Sequence, residues 1–139
     1  MANVVGLINL HSNVSLKGLT ERRPVASVSF LGRYGVIDFV LSNFSNSRID
    51  KVGISLLYDE KYANSNMYNH DINNMLENIA FLEKSTEDYV VISPAHIITT
   101  MDFYDVVEAH EKSGCDVTVV YKKIKNANET FIGSDFLKI

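Results

Sequence analysis

Three arginines and two short segments contain the residues of this chain that could bind or act on a ligand. Arg22, Arg23 and Arg33 could supply positive charge to an anionic effector or to a phosphate, although arginines beside a loop are also commonly only solvated. The two segments follow apolar runs, near residues 10–15 and 93–96. If those runs are parallel strands, a ligand would bind beyond their carboxyl ends, at these two places.

Two histidines allow both a chemical and a structural interpretation. His70 and Asp71 could be a metal-binding or acid–base pair, but adjacent residues on a helix point about 100° apart. A carboxylate in the first turn of a helix complements the helix dipole, which favours a helix-start role for Asp71. His110 continues the apolar series that begins at Phe103, so we interpret it as a packed or edge histidine rather than a ligand.

The elements that must position these residues follow from apolar periodicity. Runs rich in branched apolar residues predict strands over residues 4–10, 51–58, 89–92 and 116–122, with one further edge strand near Phe136 and Leu137. Helical spacing predicts helices within residues 32–47, over 70–84, and between an N-cap at Asp102 and a C-cap at Gly114, with a polar loop at 59–69. This alternation predicts an α/β fold with a mainly parallel sheet and flanking helices.

Two of the predicted helices carry an apolar face. In the first, the apolar residues at i, i+3, i+4 and i+7 are Ile37, Val40, Leu41 and Phe44, and the residues expected to stay polar are Asp38, Ser42, Asn43 and Asn46. In the second, the face consists of Ile72, Met75, Leu76, Ile79 and Ala80. We expect the first helix to pack on the sheet.

The order of residues between Gly32 and Ser47 resembles a segment of the sugar-nucleotide pyrophosphorylases, G-x-Y-R-x-I-D-F-x-L-S-N-x-x-N-S-G. Among these enzymes it is most similar to the ADP-glucose pyrophosphorylases, also called glucose-1-phosphate adenylyltransferases. This chain departs from the pattern at Gly35, where the family has Arg, and at Arg48, where it has Gly. An amphipathic helix explains the apolar spacing but not this order of polar residues. The resemblance implies a Rossmann-like nucleotidyltransferase domain.

The resemblance also implies a glycine-rich loop after the first strand, whose backbone N–H groups would cradle nucleotide phosphates. In this chain Leu10, His11 and Asn13 stand at the three glycine positions, and Ser15 stands at the position of the loop arginine. Side chains at these positions would occupy the space of the phosphates. The alternative is a loop without glycine that binds nucleotide in another pose.

Two further charged groups of the family are replaced here. The lysine that contacts the phosphates falls on Val25, and the aspartate that holds the divalent metal falls on Ala95 when the chains are aligned on the next two residues, His96 and Ile97. The nearest acidic residues are Asp88 and Asp102. We therefore expect that this chain requires no cofactor and that Mg²⁺ belongs to a catalytic partner.

A preserved scaffold with these losses is similar to the GlgD-type subunits of the family. The resemblance implies a regulatory subunit with little or no activity alone, which pairs with a catalytic ADP-glucose pyrophosphorylase subunit and could also bind a nucleotide or a small phosphorylated effector. One alternative is an active nucleotidyltransferase that makes ADP-glucose and pyrophosphate and recruits its metal elsewhere, for example at Asp102. Another is an unrelated α/β binding module. The resemblance also implies that residues 1–139 correspond to the N-terminal part of the nucleotidyltransferase domain, without the family's C-terminal left-handed β-helix.

Composition limits the remaining classes of function. Of 139 residues, 46% are hydrophobic and 22% charged, which is typical of one soluble globular domain. A net charge of −4 without a dense basic cluster argues against nucleic acid as a partner. Cys115 is the only cysteine, so no intrachain disulfide can form. With no basic n-region and no apolar run of about 18 residues, we expect a cytoplasmic protein that does not enter a membrane.

Overall fold

The computed structural model describes residues 2–10, 16–56 and 71–123. Its centre is a parallel sheet of three strands in the order β4-β1-β5, with β1 at Val4–Asn9, β4 at Lys51–Ser55 and β5 at Tyr89–Pro94. Leu7 of the central strand faces Gly53 on one side and Ile92 on the other. The predicted α/β class with a mainly parallel sheet is therefore confirmed.

The remaining elements cover or extend this sheet. The helices are α1 at Ile37–Asn46, α2 at Asp71–Glu77, α3 at Ile79–Lys84 and α4 at Phe103–Ser113, with short 3₁₀ turns at Lys17–Leu19 and Val25–Ser27. Ser29–Phe30 (β2) and Tyr34–Gly35 (β3) form a small antiparallel ribbon that the sequence did not predict. Within the described ranges, every helix is too short or too polar to cross a membrane.

The central strand β1 is covered on both of its faces, as expected for its run of branched apolar residues. Val5, Leu7 and Ile8 are completely buried. Gly6 allows a close approach from above, because a Cβ at this position would lie 2.6 Å from the ring of Phe44. Glycine at position 6 therefore lets α1 come close to the sheet.

Helix α1 confirms the prediction of a helix packed on the sheet. Val40 and Phe44 are buried in the main core with Ile8, and the rings of Phe44 and Phe103 have their centroids 4.5 Å apart. Asn43, one of the residues expected to stay polar, is buried, because it bonds a distant segment of the backbone. The Asp38 carboxylate accepts a hydrogen bond of 2.8 Å from the Gly35 N–H before the helix begins.

The end of α1 is a Schellman motif with an unusual residue in its left-handed position. The Ile49 N–H donates to the Phe44 carbonyl at 3.0 Å, and the Arg48 N–H donates to the Ser45 carbonyl at 3.1 Å. Arg48 has φ +57°, a conformation that glycine adopts at less cost. At the end of α4 the corresponding residue is Gly114, with φ +63°.

The single helix predicted over residues 70–84 is wrong in two respects. The structure breaks it at Asn78, whose φ of −101° and ψ of 16° are not helical and whose side chain donates to the Ser55 hydroxyl at 2.9 Å. The predicted apolar face is not buried either, because Ile72, Leu76, Ile79 and Ala80 are exposed and Met75 is half-buried. Contact with the sheet is made instead by Phe81, whose ring lies where a side chain at Gly53 would be. Residues 57–70, which include His70 and the predicted loop, lie outside the described residues.

Helix α4 has the caps that the sequence predicts. The Asp102 carboxylate accepts from the Tyr104 N–H at 2.9 Å, and Gly114 ends the helix in the left-handed conformation. His110 packs edge-to-face against Tyr89, and its Nδ1 lies 2.7 Å from the Thr118 hydroxyl. The environment of His110 is therefore that of the packed histidine we expected.

The strand predicted over residues 116–122 is wrong. The segment pairs with no described strand, and Val117, Val119, Val120 and Tyr121 are all more than half exposed. Branched and aromatic residues favour a strand only when a neighbouring strand accepts their backbone hydrogen bonds. Conversely, β5 is longer than predicted, because pairing with β1 continues to Pro94. The predicted edge strand near Phe136 lies outside the described residues.

Candidate functional site

The carboxyl ends of β1, β4 and β5 meet at one edge of the sheet, and this edge is the candidate site. The Leu10 N–H donates to the Ser55 carbonyl at 3.1 Å, and the Ala95 N–H donates to the Asn9 carbonyl at 2.9 Å. These bonds bring together the two places that the sequence indicates, because Leu10 and Ala95 follow neighbouring strands. The other predicted loop positions, His11, Asn13 and Ser15, lie outside the described residues.

Position 95 faces the protein interior. Ala95 is 2% exposed and belongs to the core cluster that also contains Ile8, Phe44 and Phe103. Its methyl group offers no ligand to a cation. Among the described residues, no group of three or more His, Cys, Asp or Glu side chains could hold a metal ion.

Position 25 is also apolar and buried. Val25 lies in the 3₁₀ turn Val25–Ser27 and packs with Val28 and Val36 in a second, smaller cluster. The Val36 N–H donates to the Val28 carbonyl at 3.1 Å, which fixes this cluster beside the start of α1. The Val25 side chain therefore makes apolar contacts and brings no positive charge to the edge of the sheet.

The three candidate arginines are exposed and make separate local contacts. Arg23 donates through Nε to the Leu19 carbonyl at 3.1 Å, and the Arg33 guanidinium lies 5.6 Å from the centroid of the Tyr34 ring. Arg22 makes no side-chain hydrogen bond or ion pair within the described ranges. The structure therefore does not assemble the three into one anion-binding cluster.

A polar connection between α1 and the loop after β5 is the main feature that the sequence did not reveal. The Asn43 amide donates to the Thr99 carbonyl at 2.9 Å, and its oxygen accepts from the Met101 N–H at 3.4 Å. The Ser47 hydroxyl accepts from the Phe103 N–H at 2.7 Å and donates to the Asn43 carbonyl at 2.7 Å. We call these contacts of Asn43 and Ser47 the clamp.

The clamp fixes the path of residues 96–102, which connect the edge of the sheet to α4. Asn43 and Ser47 are 6% and 5% exposed, so water does not replace these hydrogen bonds easily. The available signal was the fixed order of polar residues between Leu41 and Ser47, which an amphipathic helix alone does not require.

His96 is the ionisable residue that follows Ala95 at this edge. Its side chain is half-buried, and Nδ1 is buried without a hydrogen-bond partner among the described residues. Burial lowers the pKa of His96, so the imidazole is neutral at pH 7. The sequence indicated His96 only as a position that the family shares, and no sequence pattern indicated that its side chain is half-buried.

The described residues of this arrangement include groups that can bind a ligand, but they lack charges that drive phosphoryl transfer. Backbone groups at the strand ends and a neutral imidazole can form hydrogen bonds with a polar ligand. The nearest carboxylate after the loop belongs to Asp102, which is already engaged as the N-cap of α4. Asp88 precedes β5 and lies at the opposite end of that strand.

Comparisons with known proteins find two kinds of relative, GlgD proteins and glucose-1-phosphate adenylyltransferases. No protein-family model matches the chain. The chain is 26% identical to the glycogen biosynthesis protein GlgD of Bacillus subtilis, over 89% of this chain and 44% of that protein, and 28% identical to GlgD of Geobacillus stearothermophilus, over 84% and 43%. It is 31% identical to the glucose-1-phosphate adenylyltransferase of Bacillus subtilis, over 75% and 35%.

The chain thus spans between a third and a half of the length of the curated relatives it matches. The alignment with the Bacillus subtilis GlgD runs over 156 residues, whereas this chain has 139. That relative therefore carries residues within the matched region that this chain lacks.

Proposed function

This chain belongs to the ADP-glucose pyrophosphorylase (glucose-1-phosphate adenylyltransferase) family and is of the GlgD type, and we propose that it is part of a regulatory subunit of that enzyme. The subunit acts in glycogen biosynthesis, in the cytoplasm, by pairing with a catalytic subunit. On its own it makes little or no ADP-glucose.

The observation that carries this proposal is the burial of Ala95. The resemblance assigns the metal-holding aspartate to this position, and here it supplies a methyl group to the core. Nucleotidyl transfer depends on positioning and on charge stabilisation, and a divalent ion bridging the phosphates provides much of the latter. The described residues at this edge do not fit such an ion, and we propose that Mg²⁺ belongs to the catalytic subunit.

Val25 supports the same proposal independently. A lysine at this position would place a positive charge beside the phosphates, but Val25 is packed against Val28 and Val36. Loss of one such contact is commonly worth several kcal/mol of transition-state stabilisation, and about 1.4 kcal/mol changes the rate tenfold. Two losses together leave this chain far below a working enzyme.

Regulation requires that the subunit favour one state of its partner over another. We propose that the edge of the sheet next to Leu10 and His96 binds a nucleotide or a sugar phosphate without converting it. Binding there would be communicated through residues 96–102, because the clamp ties that loop to α1. The same contacts can therefore couple occupancy of the edge to the packing of α1.

The test uses the full-length protein that contains this chain. ADP-glucose formation is measured with magnesium, ATP and glucose 1-phosphate, first for this protein alone and then with the catalytic subunit from the same source. We expect no turnover alone, and a changed rate or substrate KM in the mixture. Sustained turnover alone, or a mixture that behaves as the catalytic subunit by itself, would contradict the proposal.

A substitution at Asp102 separates the regulatory reading from the alternative of an active enzyme with a relocated metal ligand. Asp102→Asn preserves the N-cap, because asparagine accepts the same hydrogen bond from the Tyr104 N–H. If the full-length protein turns over alone and loses that activity in Asp102→Asn, the relocated metal site is correct. A regulatory subunit keeps its effect on the partner in this variant.

A further inference from the structure

A small pocket lies at the end of the sheet opposite the candidate site, between the start of β1, the end of α1 and α4. Its cavity volume is about 50 Å³. Val4, Ile49 and Val107 line it with apolar side chains, and Ala2, Ser47, Arg48 and Tyr104 complete its wall. Pockets for cofactors and drug-sized ligands measure roughly 300–1,000 Å³, so this one has room for a single side chain.

Arg48 is an unexpected residue at this place for reasons of backbone conformation. It occupies the left-handed position of the Schellman motif, where glycine is favoured because it has no Cβ. The family resemblance has glycine at the corresponding position, and α4 of this chain ends with Gly114. An arginine held in this conformation costs energy that glycine would avoid.

Nothing in the described part of the chain compensates for that cost. Arg48 is exposed, and its guanidinium forms no ion pair or hydrogen bond with the described residues. The acidic residue one turn beyond Tyr104, Glu108, is paired with Lys112 at 2.8 Å. Its charge is therefore already engaged within α4, and Arg48, with which no described residue pairs, places a positive charge beside an apolar pocket.

From these observations we infer that the pocket docks a segment of a partner protein that presents an aliphatic side chain next to a carboxylate. The aliphatic group fills the space above Val4, Ile49 and Val107, and the carboxylate pairs with the Arg48 guanidinium. Arg and Tyr are the residue types that most often anchor protein interfaces, and here both border one pocket. The inference does not depend on the regulatory function proposed above.

The experiment measures binding of two short peptides to the full-length protein by NMR. The probe is the acetylated and amidated tripeptide Glu-Leu-Glu, and the matched control is Gln-Leu-Gln, which has the same shape without charge. Signals are followed at the Arg48 Nε–H group and at the methyl groups of Ile49 and Val107. We expect both groups of signals to shift with the acidic peptide, and an affinity about tenfold higher than that of the control.

Substitutions at position 48 test the role of the charge without disturbing the fold. Asparagine tolerates the left-handed conformation, so Arg48→Asn removes the charge and retains the backbone. We expect its affinity for Glu-Leu-Glu to fall to that of Gln-Leu-Gln, whereas Arg48→Lys retains most of the binding. Equal affinities for the two peptides, or unchanged binding in Arg48→Asn, would overturn the inference. So would equal shifts with sodium acetate alone, which would indicate a site for small anions.

Discussion

Helix α1 and the helical segment α2–α3 have similar apolar spacing, but their apolar faces lie in different surroundings. In α1, Val40 and Phe44 are 1% exposed, whereas in α2 Ile72 and Leu76 are 71% and 60% exposed. The difference lies in what each helix meets. Phe44 lies over Gly6 of the central strand and next to Phe103, while the Phe81 ring of α3 lies against Gly53 of the outer strand β4.

This comparison shows that burial depends on the receiving surface as much as on the helix. Gly6 and Gly53 each leave room for one aromatic ring. Around Phe44 that contact is extended by a core of many residues and by the clamp, which holds the loop before α4 in place. Around Phe81 the neighbouring apolar side chains face solvent. The α1 surface should therefore carry most of the stability of the fold.

The largest expected effect is that of truncating Phe44. Phe44→Ala removes a buried ring and leaves a cavity beside Gly6 and Phe103, and we expect it to lower the free energy of unfolding by about 3–5 kcal/mol. The matched change in the other helix, Leu76→Ala, should cost less than about 0.5 kcal/mol because Leu76 is exposed. Urea denaturation of both variants measures the difference, and equal losses would show that the two helices are equally packed.

The next largest effect concerns the clamp. Ser47→Ala leaves the Phe103 N–H without its acceptor at a buried site, which should destabilise the protein by about 1–3 kcal/mol. Ser45→Ala, two residues earlier on the exposed side of α1, is the control and should be nearly neutral. If Ser47→Ala and Ser45→Ala both unfolded at the same urea concentration as the wild type, the clamp would add no stability and the α1 surface would depend on apolar packing alone.

At the end of α1, the residue in the left-handed position is arginine and not the glycine that this conformation favours. Arg48→Gly should raise the free energy of unfolding by about 0.5–1 kcal/mol, because glycine relieves the left-handed conformation but adds freedom to the unfolded chain. At the end of α4, Gly114→Ala should lower the free energy of unfolding by about 1 kcal/mol, because alanine is strained in the left-handed conformation. The added Cβ has no atom within 4 Å, so a steric clash does not contribute to this loss. Thermal denaturation checks both signs, and a destabilised Arg48→Gly would show that Arg48 makes a contact within the fold.

The smallest expected effect is a dependence on pH that comes from His96, in the loop that the clamp ties to α1. Burial lowers the pKa of His96 below its ordinary value of 6.5, so below pH 6.5 the unfolded chain binds a proton that the folded chain does not. Stability should therefore fall as the pH drops from about 6.5 through the lowered pKa. In His96→Gln this part of the decline should disappear; an unchanged profile between pH 7.5 and 5 would assign it to other groups.

Local patterns predicted the parts of the fold whose determinants lie close together in sequence. The branched run of β1, the apolar series of α1, and the caps at Asp102 and Gly114 each depend on neighbouring residues. The parallel arrangement then predicted ligand positions near residues 10–15 and 93–96, whereas the pairing of the two strands that precede them is a result of the structure. The break at Asn78 was missed because its side chain bonds Ser55, which is distant in sequence.

The parts of the candidate site that could not be predicted depend on contacts between remote segments. Asn43 looks like any polar residue on a helix, and only the loop that contains Thr99 and Met101 explains its burial. Residues 116–122 show the converse, because their composition favours a strand and no described strand pairs with them. Periodicity gives the structure that a segment prefers, whereas its neighbours determine whether that preference is satisfied.

The position of β1 in the middle of the sheet also has a consequence for the order of events during synthesis. Val5 pairs with Lys51 on one side and with Val90 on the other, so β1 is translated before both of the strands that enclose it. At about 5–20 residues per second, roughly 4–17 s separate the translation of β1 from that of β5. During that interval β1, in which Val5, Leu7 and Ile8 are completely buried in the fold, has no complete partner surface. A newborn chain should therefore be most vulnerable to aggregation, and most dependent on chaperones, before residue 94 has emerged.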